Sequence, residues 1–182
     1  MGDVMYLAQA IASFEELKKY KFIITTKKYG SLVLEFYNHH FKHLFGIQYM
    51  NLILPENIKS SAALYRYLVK KHSKFEEQIN LQIKNNEQLE NRVKQFVLID
   101  RLLSSVDLKL YKQHMPKDGS MLNVNFILYS EQLGYKLMLA LNENTDNTVS
   151  PSSWMVESRL EVPYVIQGIK ATFPVTILRE LK

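Results

Sequence analysis

The chain has 182 residues, 47% of them hydrophobic and 23% charged, which is typical of a globular protein with a sizeable core. The formal charge of +5 is carried by residues 1–118, where 18 basic residues outnumber 12 acidic ones, and this bias fits either a polyanionic partner or a plain basic surface. Absence of cysteine excludes disulfides and thiolate metal sites, and the lack of an apolar run near 18 residues excludes a membrane helix.

The N-terminal part of the chain predicts a helix followed by a hairpin. Apolar residues recur at 3.6-residue spacing over residues 4–20, and no basic stretch precedes them, so we expect no signal peptide and a cytoplasmic protein. The segment 21–37 is rich in β-forming residues around Tyr29-Gly30-Ser31. A short histidine-rich helix should follow and end near Gly46.

Two amphipathic helices are predicted after Pro55. The first should begin at Ser60 or Ser61, since either hydroxyl can cap a helix. The second carries an apolar stripe made of Leu89, Val93, Phe96, Val97 and Leu103.

From Asp107 onwards the pattern changes to strands. A hairpin over residues 122–141 is followed by a polar loop over 142–153, and one or two further strands are expected within 164–178. This order predicts an α+β fold in which helices pack on a small antiparallel sheet formed mainly by the C-terminal half. We expect a single domain over 1–182, divided into an N-terminal helix (1–20), a hairpin and histidine segment (21–54), a helical region (56–106) and the sheet (107–182).

Three of the five histidines lie within residues 39–43. If this segment is helical, Phe41, Leu44 and Phe45 share the buried side, at about 100 degrees per residue. His39 and His43 then lie together opposite the core, and His40 lies on the flank of the apolar stripe. The histidines are therefore expected to border an accessible surface.

Such a histidine set fits three kinds of site. Imidazoles can take a proton from a ribose 2′-hydroxyl and return one to the departing 5′ oxygen, which is the chemistry of RNA cleavage without a metal ion. His39 and His43 could instead hold a metal, although no HExxH pattern and no third ligand accompany them. They could also be ordinary surface histidines. No glycine-rich phosphate loop, GxSxG elbow or thiol nucleophile suggests another enzyme class.

One longer pattern is more specific. Residues His40-Phe41-Lys42-His43-Leu44-Phe45-Gly46-Ile47 form an HFxHLxG motif, and three further pieces follow it in order: Arg101-Leu102-Leu103 with Asp107, the hairpin 122–141, and Pro151-Ser152-Ser153-Trp154. With these pieces the chain resembles, over most of residues 20–175, the phage-associated branch of the barnase, EndoU, colicin and RelE-like (BECR-fold) nucleases.

The resemblance implies a compact α+β ribonuclease fold that needs no metal or other cofactor. By position it implies catalytic roles for His40 and His43 and a polar-loop role for Ser153, while Trp154 stands where that branch more often has phenylalanine. Glu35 and Glu143 are alternative general bases if one histidine is structural.

Contacts to RNA are expected from basic residues, several of which adjoin aromatic rings, although ordinary amphipathic helices produce the same pattern. Lys42 and Lys136 are also candidates for stabilising the extra charge on the reacting phosphate. The predicted RNA-binding residues are Lys42, Arg66, Lys70, Lys71, Lys112 and Lys136.

Length, basic bias and overall sequence are also similar to phage anti-CRISPR proteins that truncate the guide RNA of type II-A CRISPR-Cas effectors. That similarity implies the guide RNA and the effector nuclease as partners, in the cytoplasm of a host bacterium. Two alternatives remain open. One is a non-catalytic inhibitor that occupies a nucleic-acid groove on the effector, and the other is a toxin-like ribonuclease that acts on cellular RNA.

Overall fold

The computed structural model describes residues 5–112, 124–158 and 172–182. The α-helices of these ranges are α1 (Tyr6–Lys18), α2 (Phe41–Phe45), α3 (Ser61–Ile83), α4 (Glu87–Lys94) and α5 (Ile99–Leu103), with short 3-10 turns at Asn38–His40, Ile47–Tyr49 and Phe96–Leu98. The strands are β1 (Tyr20–Thr26), β2 (Gly30–Glu35), β3 (Lys109–Lys112), β4 (Phe126–Gln132), β5 (Tyr135–Glu143), β6 (Thr148–Ser158), β7 (Thr172–Pro174) and β8 (Thr176–Leu181).

These strands form one mixed sheet in the order β7-β3-β4-β5-β6-β2-β1-β8. The pairing of β2 with β6 is parallel, with Leu34 beside Val149, and the other pairings are antiparallel. Only Val175 separates β7 from β8, which lie at opposite ends of the order, so the sheet curls until its two edges approach each other. The predicted α+β class is confirmed, but the sheet is larger than predicted because the N-terminal hairpin joins it.

The helices bury one face of the sheet in a continuous apolar cluster that extends from Leu7 to Val175. A buried carboxylate fixes α1 against α3, since Glu76 accepts hydrogen bonds from the backbone N–H groups of Leu7 (3.1 Å) and Ala8 (2.8 Å). A second, smaller cluster lies on the opposite face of the sheet and consists of Tyr111, Val124, Ile127, Tyr129, Met138 and Ala140. Strand β4 is therefore apolar on both faces rather than alternating.

Several local predictions are confirmed. Ser60 caps α3 by accepting a hydrogen bond from Ala63 N–H at 3.1 Å, and the β4–β5 hairpin turns at Leu133 and Gly134, both with positive φ. The predicted apolar stripe of the second helix is wrong at Val97, which is 40% exposed. The reason is that the helix stops at Gln95 and a 3-10 turn follows, which changes the angular spacing of the side chains.

The predicted polar loop over 142–153 is too long. Strand β6 already begins at Thr148, because its first residues pair with β2 on one side and with β5 on the other. Ser153 therefore lies in a strand. Residues 122–123 and 164–171 of the predicted strands lie outside the described ranges. Within those ranges, no helix is long and apolar enough to cross a membrane.

Candidate functional site

The histidine segment is anchored by its apolar side. Phe41, Leu44 and Phe45 are fully buried, as the helical spacing predicts, and α2 ends at Gly46 in the left-handed conformation with φ +90°. His39 and His43 are exposed on the other side. The apolar contacts of α2 thus hold two imidazoles at the surface.

His40 is buried, so the prediction of an accessible flank position is wrong for this residue. The 3-10 turn folds its ring back, because Tyr37 N–H donates to His40 Nδ1 at 3.1 Å while His40 N–H donates to Tyr37 O at 2.9 Å, and the turn packs against α3. Burial, together with the charges of His39, His43 and Lys182, lowers the pKa of His40 to about 3. At neutral pH its ring is uncharged, with the proton on Nε2.

The two exposed imidazoles have different surroundings. The ring of His39 lies with its centre 4.0 Å from that of His40, and it is parallel to the Tyr37 ring at 6.0 Å. Desolvation and the charges of Lys42, Arg92 and His39 lower the pKa of His43 below its ordinary value. His43 is therefore mostly neutral at pH 7, which is the form that can accept a proton.

Glu35 supports this arrangement from the end of β2. Its carboxylate accepts a hydrogen bond from the Tyr37 hydroxyl and lies 3.2 Å from Lys182 Nζ. Burial alone would raise the pKa of Glu35, but these two partners outweigh burial and hold the pKa below its usual range. A carboxylate with a lowered pKa and two partners is a weak base, and its contacts make it a support for the Tyr37 ring.

Arg92 is the main site residue that the sequence analysis missed. Its guanidinium donates to the backbone oxygen of His43 (3.4 Å) and to Ser153 Oγ (3.3 Å). Burial lowers the pKa of Arg92, against contacts with Tyr49 that raise it, and the group stays protonated. No carboxylate within the described ranges pairs with this cation. A partly buried, unpaired guanidinium with N–H groups to spare is suited to bind an anion.

Two backbone irregularities adjoin the contacts of Arg92. A Cβ atom on Gly46 would lie 3.0 Å from Arg92 Cδ, so only glycine allows the close approach. The pairing of β5 with β6 contains a bulge that leaves Ser152 without a partner, and such a bulge re-aims nearby side chains, here Ser153. A weak signal was present in the sequence, since Arg92 lies three residues after Leu89 and directly before Val93, which places it at the margin of the apolar stripe.

The sequence of the chain matches the model of a known protein family. A model described as phage-Barnase-EndoU-ColicinE5/D-RelE like nuclease4 matches residues 7–169. The chain belongs to this nuclease family. The match includes the three histidines, Arg92 and Ser153. No curated protein and no solved structure matches the chain. Family membership confirms the resemblance found in the sequence and makes nucleic acid the class of substrate.

In this member of the nuclease family, Lys42 lies next to the histidines. It lines a cleft of about 290 Å³ together with Lys59 and the first residues of α3. Arg66, Lys70 and Lys71 are exposed on α3. The adjoining ring of Tyr65, however, is buried and its hydroxyl donates to Glu15 at 2.5 Å, so it is not available to a base.

The remaining predicted residues lie on strands β3 and β5. Lys136 is buried on β5, with Glu131 and Glu157 as its cross-strand neighbours. The prediction that Lys136 is an accessible cation is therefore wrong, because both faces of this strand are covered. Glu143 is exposed at the end of β5, and Lys112 lies at the end of β3. Across the described ranges, no three His, Asp or Glu side chains are arranged to hold a metal ion.

Proposed function

We propose that the chain is an endoribonuclease that cleaves RNA with His43 and Arg92 and without a metal ion, and that its substrate is the guide RNA of a type II-A CRISPR-Cas effector. One observation supports the cleavage most directly: the exposed, mostly neutral imidazole of His43 lies within electrostatic reach of the Arg92 guanidinium, which has no carboxylate partner in the described ranges and donates to the His43 backbone oxygen and to a serine hydroxyl, in a chain of a nuclease family.

In the proposed reaction His43 takes the proton of a ribose 2′-hydroxyl. The 2′ oxygen attacks the adjacent phosphorus, the O2′–P bond forms, and the P–O5′ bond breaks. The products are a 2′,3′-cyclic phosphate and a 5′-hydroxyl. The lowered pKa of His43 supports this role, because the neutral ring is available at neutral pH.

Arg92 would bind the non-bridging oxygens of the same phosphate. Its contacts with Ser153 and with the His43 backbone fix the guanidinium before substrate arrives, so little reorganisation is needed when negative charge develops in the transition state. Ser153 thus acts as a positioning residue for Arg92.

The departing 5′ oxygen needs a proton, and His39 is the exposed imidazole that could supply it. The charge of His39 contributes to the lowered pKa of His43, which indicates that the two rings lie within electrostatic reach. His40 is better suited to position His39 than to transfer a proton, because its Nδ1 is occupied and its pKa is about 3. Glu35 would act similarly through the ring of Tyr37.

The choice of the guide RNA rests on the basic excess of residues 1–118, on the phage-associated family, and on the similarity to guide-truncating anti-CRISPR proteins. The experiment is to incubate guide RNA, free and bound to its effector, with the protein in magnesium or in EDTA, and then to size the RNA. We expect a discrete shortened guide in both buffers, lost with His43→Ala and kept with Gln88→Ala, an exposed control on α4.

The other outcomes separate the alternatives. Intact guide together with inhibition that follows the ratio of protein to effector would indicate a non-catalytic inhibitor. Cleavage of transfer or ribosomal RNA in the absence of any effector would indicate a toxin-like ribonuclease. Either result would contradict the proposed guide-truncating activity.

A further inference from the structure

Tyr49 is an exposed aromatic residue beside the proposed phosphate-binding group. It ends the 3-10 turn that follows Gly46, and 62% of its surface is exposed. Its ring centre lies 5.3 Å from the guanidinium carbon of Arg92. No other aromatic ring of the described ranges packs against it. The Tyr49 ring therefore contributes little to packing in the core, and it lies beside the cation that would bind the reacting phosphate.

A second exposed tyrosine near the site differs in one respect. Tyr37 is 48% exposed, but its ring is parallel to that of His39 at 6.0 Å and also lies 4.7 Å from Lys182 Nζ. Tyr37 therefore already has an imidazole and an ammonium group against its ring. Among the described residues, the Arg92 guanidinium is the one ring or cation that lies against Tyr49, so more of the Tyr49 ring is left to accept a nucleobase.

We propose that Tyr49 stacks on a base next to the cleaved phosphate and thereby makes unpaired, single-stranded RNA the substrate. The inference rests on the proposed function, since it takes Arg92 as the phosphate-binding group. A phosphate on Arg92 brings the bases of the adjoining nucleotides to the Tyr49 ring. Stacking on an aromatic side chain needs a base whose face is uncovered, and in a duplex both faces are covered by neighbouring base pairs.

The test measures binding, so that it does not depend on cleavage. The ligands are a guide-sequence RNA made uncleavable by 2′-O-methylation, the same RNA annealed to its complement, and versions with one abasic nucleotide at successive positions. The proteins are wild type, Tyr49→Phe, Tyr49→Leu and the control Ile53→Ala, which changes a 79% exposed apolar residue nearby. Kd is measured by fluorescence anisotropy at fixed salt.

We expect Tyr49→Leu to weaken single-strand binding about tenfold, within the range measured for base–aromatic stacking, while Tyr49→Phe and Ile53→Ala stay within about threefold of wild type. At one position the abasic nucleotide should weaken binding by wild type and leave binding by Tyr49→Leu unchanged. Such coupling cannot arise from a merely structural effect of the substitution.

Three results would overturn the inference: equal Kd for wild type and Tyr49→Leu, equal binding of duplex and single strand, or an abasic effect of the same size in both proteins. If coupling is observed but the natural RNA is never cleaved, stacking stands and the proposed ribonuclease activity fails. If the RNA is cleaved without coupling, the reverse holds. Failure to bind any of these RNAs overturns the stacking inference, while cleavage of the natural guide, free or held by the effector, decides the ribonuclease activity separately.

Discussion

Replacing His40 with asparagine should remove a large part of the pH dependence of folding stability. In the folded protein His40 is buried, its Nδ1 accepts a hydrogen bond from Tyr37 N–H, and its pKa is about 3. An asparagine carbonyl can accept the same hydrogen bond, but asparagine does not titrate. The substitution therefore preserves the backbone contact and deletes the proton-binding group.

The magnitude follows from the two pKa values. The unfolded chain binds a proton near pH 6.5, whereas folded His40 binds one only near pH 3. Stability that is present above pH 6.5 is therefore lost as pH falls towards 3, at about 1.4 kcal/mol per pH unit. Between pH 7.5 and pH 5 this loss amounts to about 2 kcal/mol in wild type and is absent from His40→Asn.

The assay is urea unfolding followed by circular dichroism, at constant ionic strength and a series of pH values. Because the other titrating groups are shared, the difference in unfolding free energy between wild type and His40→Asn isolates His40. That difference should shrink by about 2 kcal/mol from pH 7.5 to pH 5. A difference that does not change with pH would mean that folded His40 takes up protons normally, and it would return to consideration as a proton-transfer residue.

Three further outcomes follow from the site. Arg92→Lys keeps the charge but loses the planar fork of donors, so kcat in a guide-cleavage assay should fall about 100- to 1,000-fold. The circular dichroism spectrum should stay unchanged. A fall in kcat of less than about tenfold would argue against phosphate binding by Arg92. Gly46→Ala places a Cβ 3.0 Å from Arg92 Cδ in a residue with φ +90°. The free energy of unfolding, measured by thermal unfolding, should therefore fall by about 1–3 kcal/mol. An unchanged Tm would show that the turn relaxes freely. The charge of Lys42 helps to lower the pKa of His43, so Lys42→Ala should move the acid limb of the kcat/KM profile to higher pH. The control Lys59→Ala should leave the profile unchanged. Identical profiles for wild type and Lys42→Ala would contradict His43 as the base.

Features set by local chemistry could be predicted from the sequence. A glycine with positive φ ends α2 at Gly46, the Ser60 hydroxyl begins α3, and Gly134 turns the β4–β5 hairpin. The buried side of α2 also followed from helical spacing alone. In each case the residues that determine the structure are neighbours in sequence, so hydrophobic periodicity and turn chemistry are enough to predict it.

Features set by partners distant in sequence could not be predicted. The start of β6 depends on its parallel pairing with β2, which lies more than 100 residues away. The burial of His40 depends on α3, and helical spacing carries no information about that contact. Val97 is exposed because α4 ends at Lys94 and a 3-10 turn follows, where the apolar stripe suggested one continuous helix.

The same limit explains what was missed at the site. Arg92 reaches Ser153 across 61 positions of sequence, through a glycine on one side and a strand bulge on the other. Lys136 shows the converse error: a lysine in a strand was expected at the surface, but β5 is covered on both faces. Charge and residue type indicated the chemistry, whereas tertiary packing decided which residues can take part.

Analysis of the RNA ends tests the central claim most directly. A guide RNA and its counterpart with a single 2′-deoxy nucleotide at the cut position are incubated with the protein in EDTA, and the fragments are weighed by mass spectrometry. The mechanism predicts a 2′,3′-cyclic phosphate and a 5′-hydroxyl from the natural RNA, no cut at the deoxy position, and no product with His43→Ala. Cleavage at the deoxy position, or undiminished cleavage by His43→Ala, would contradict it.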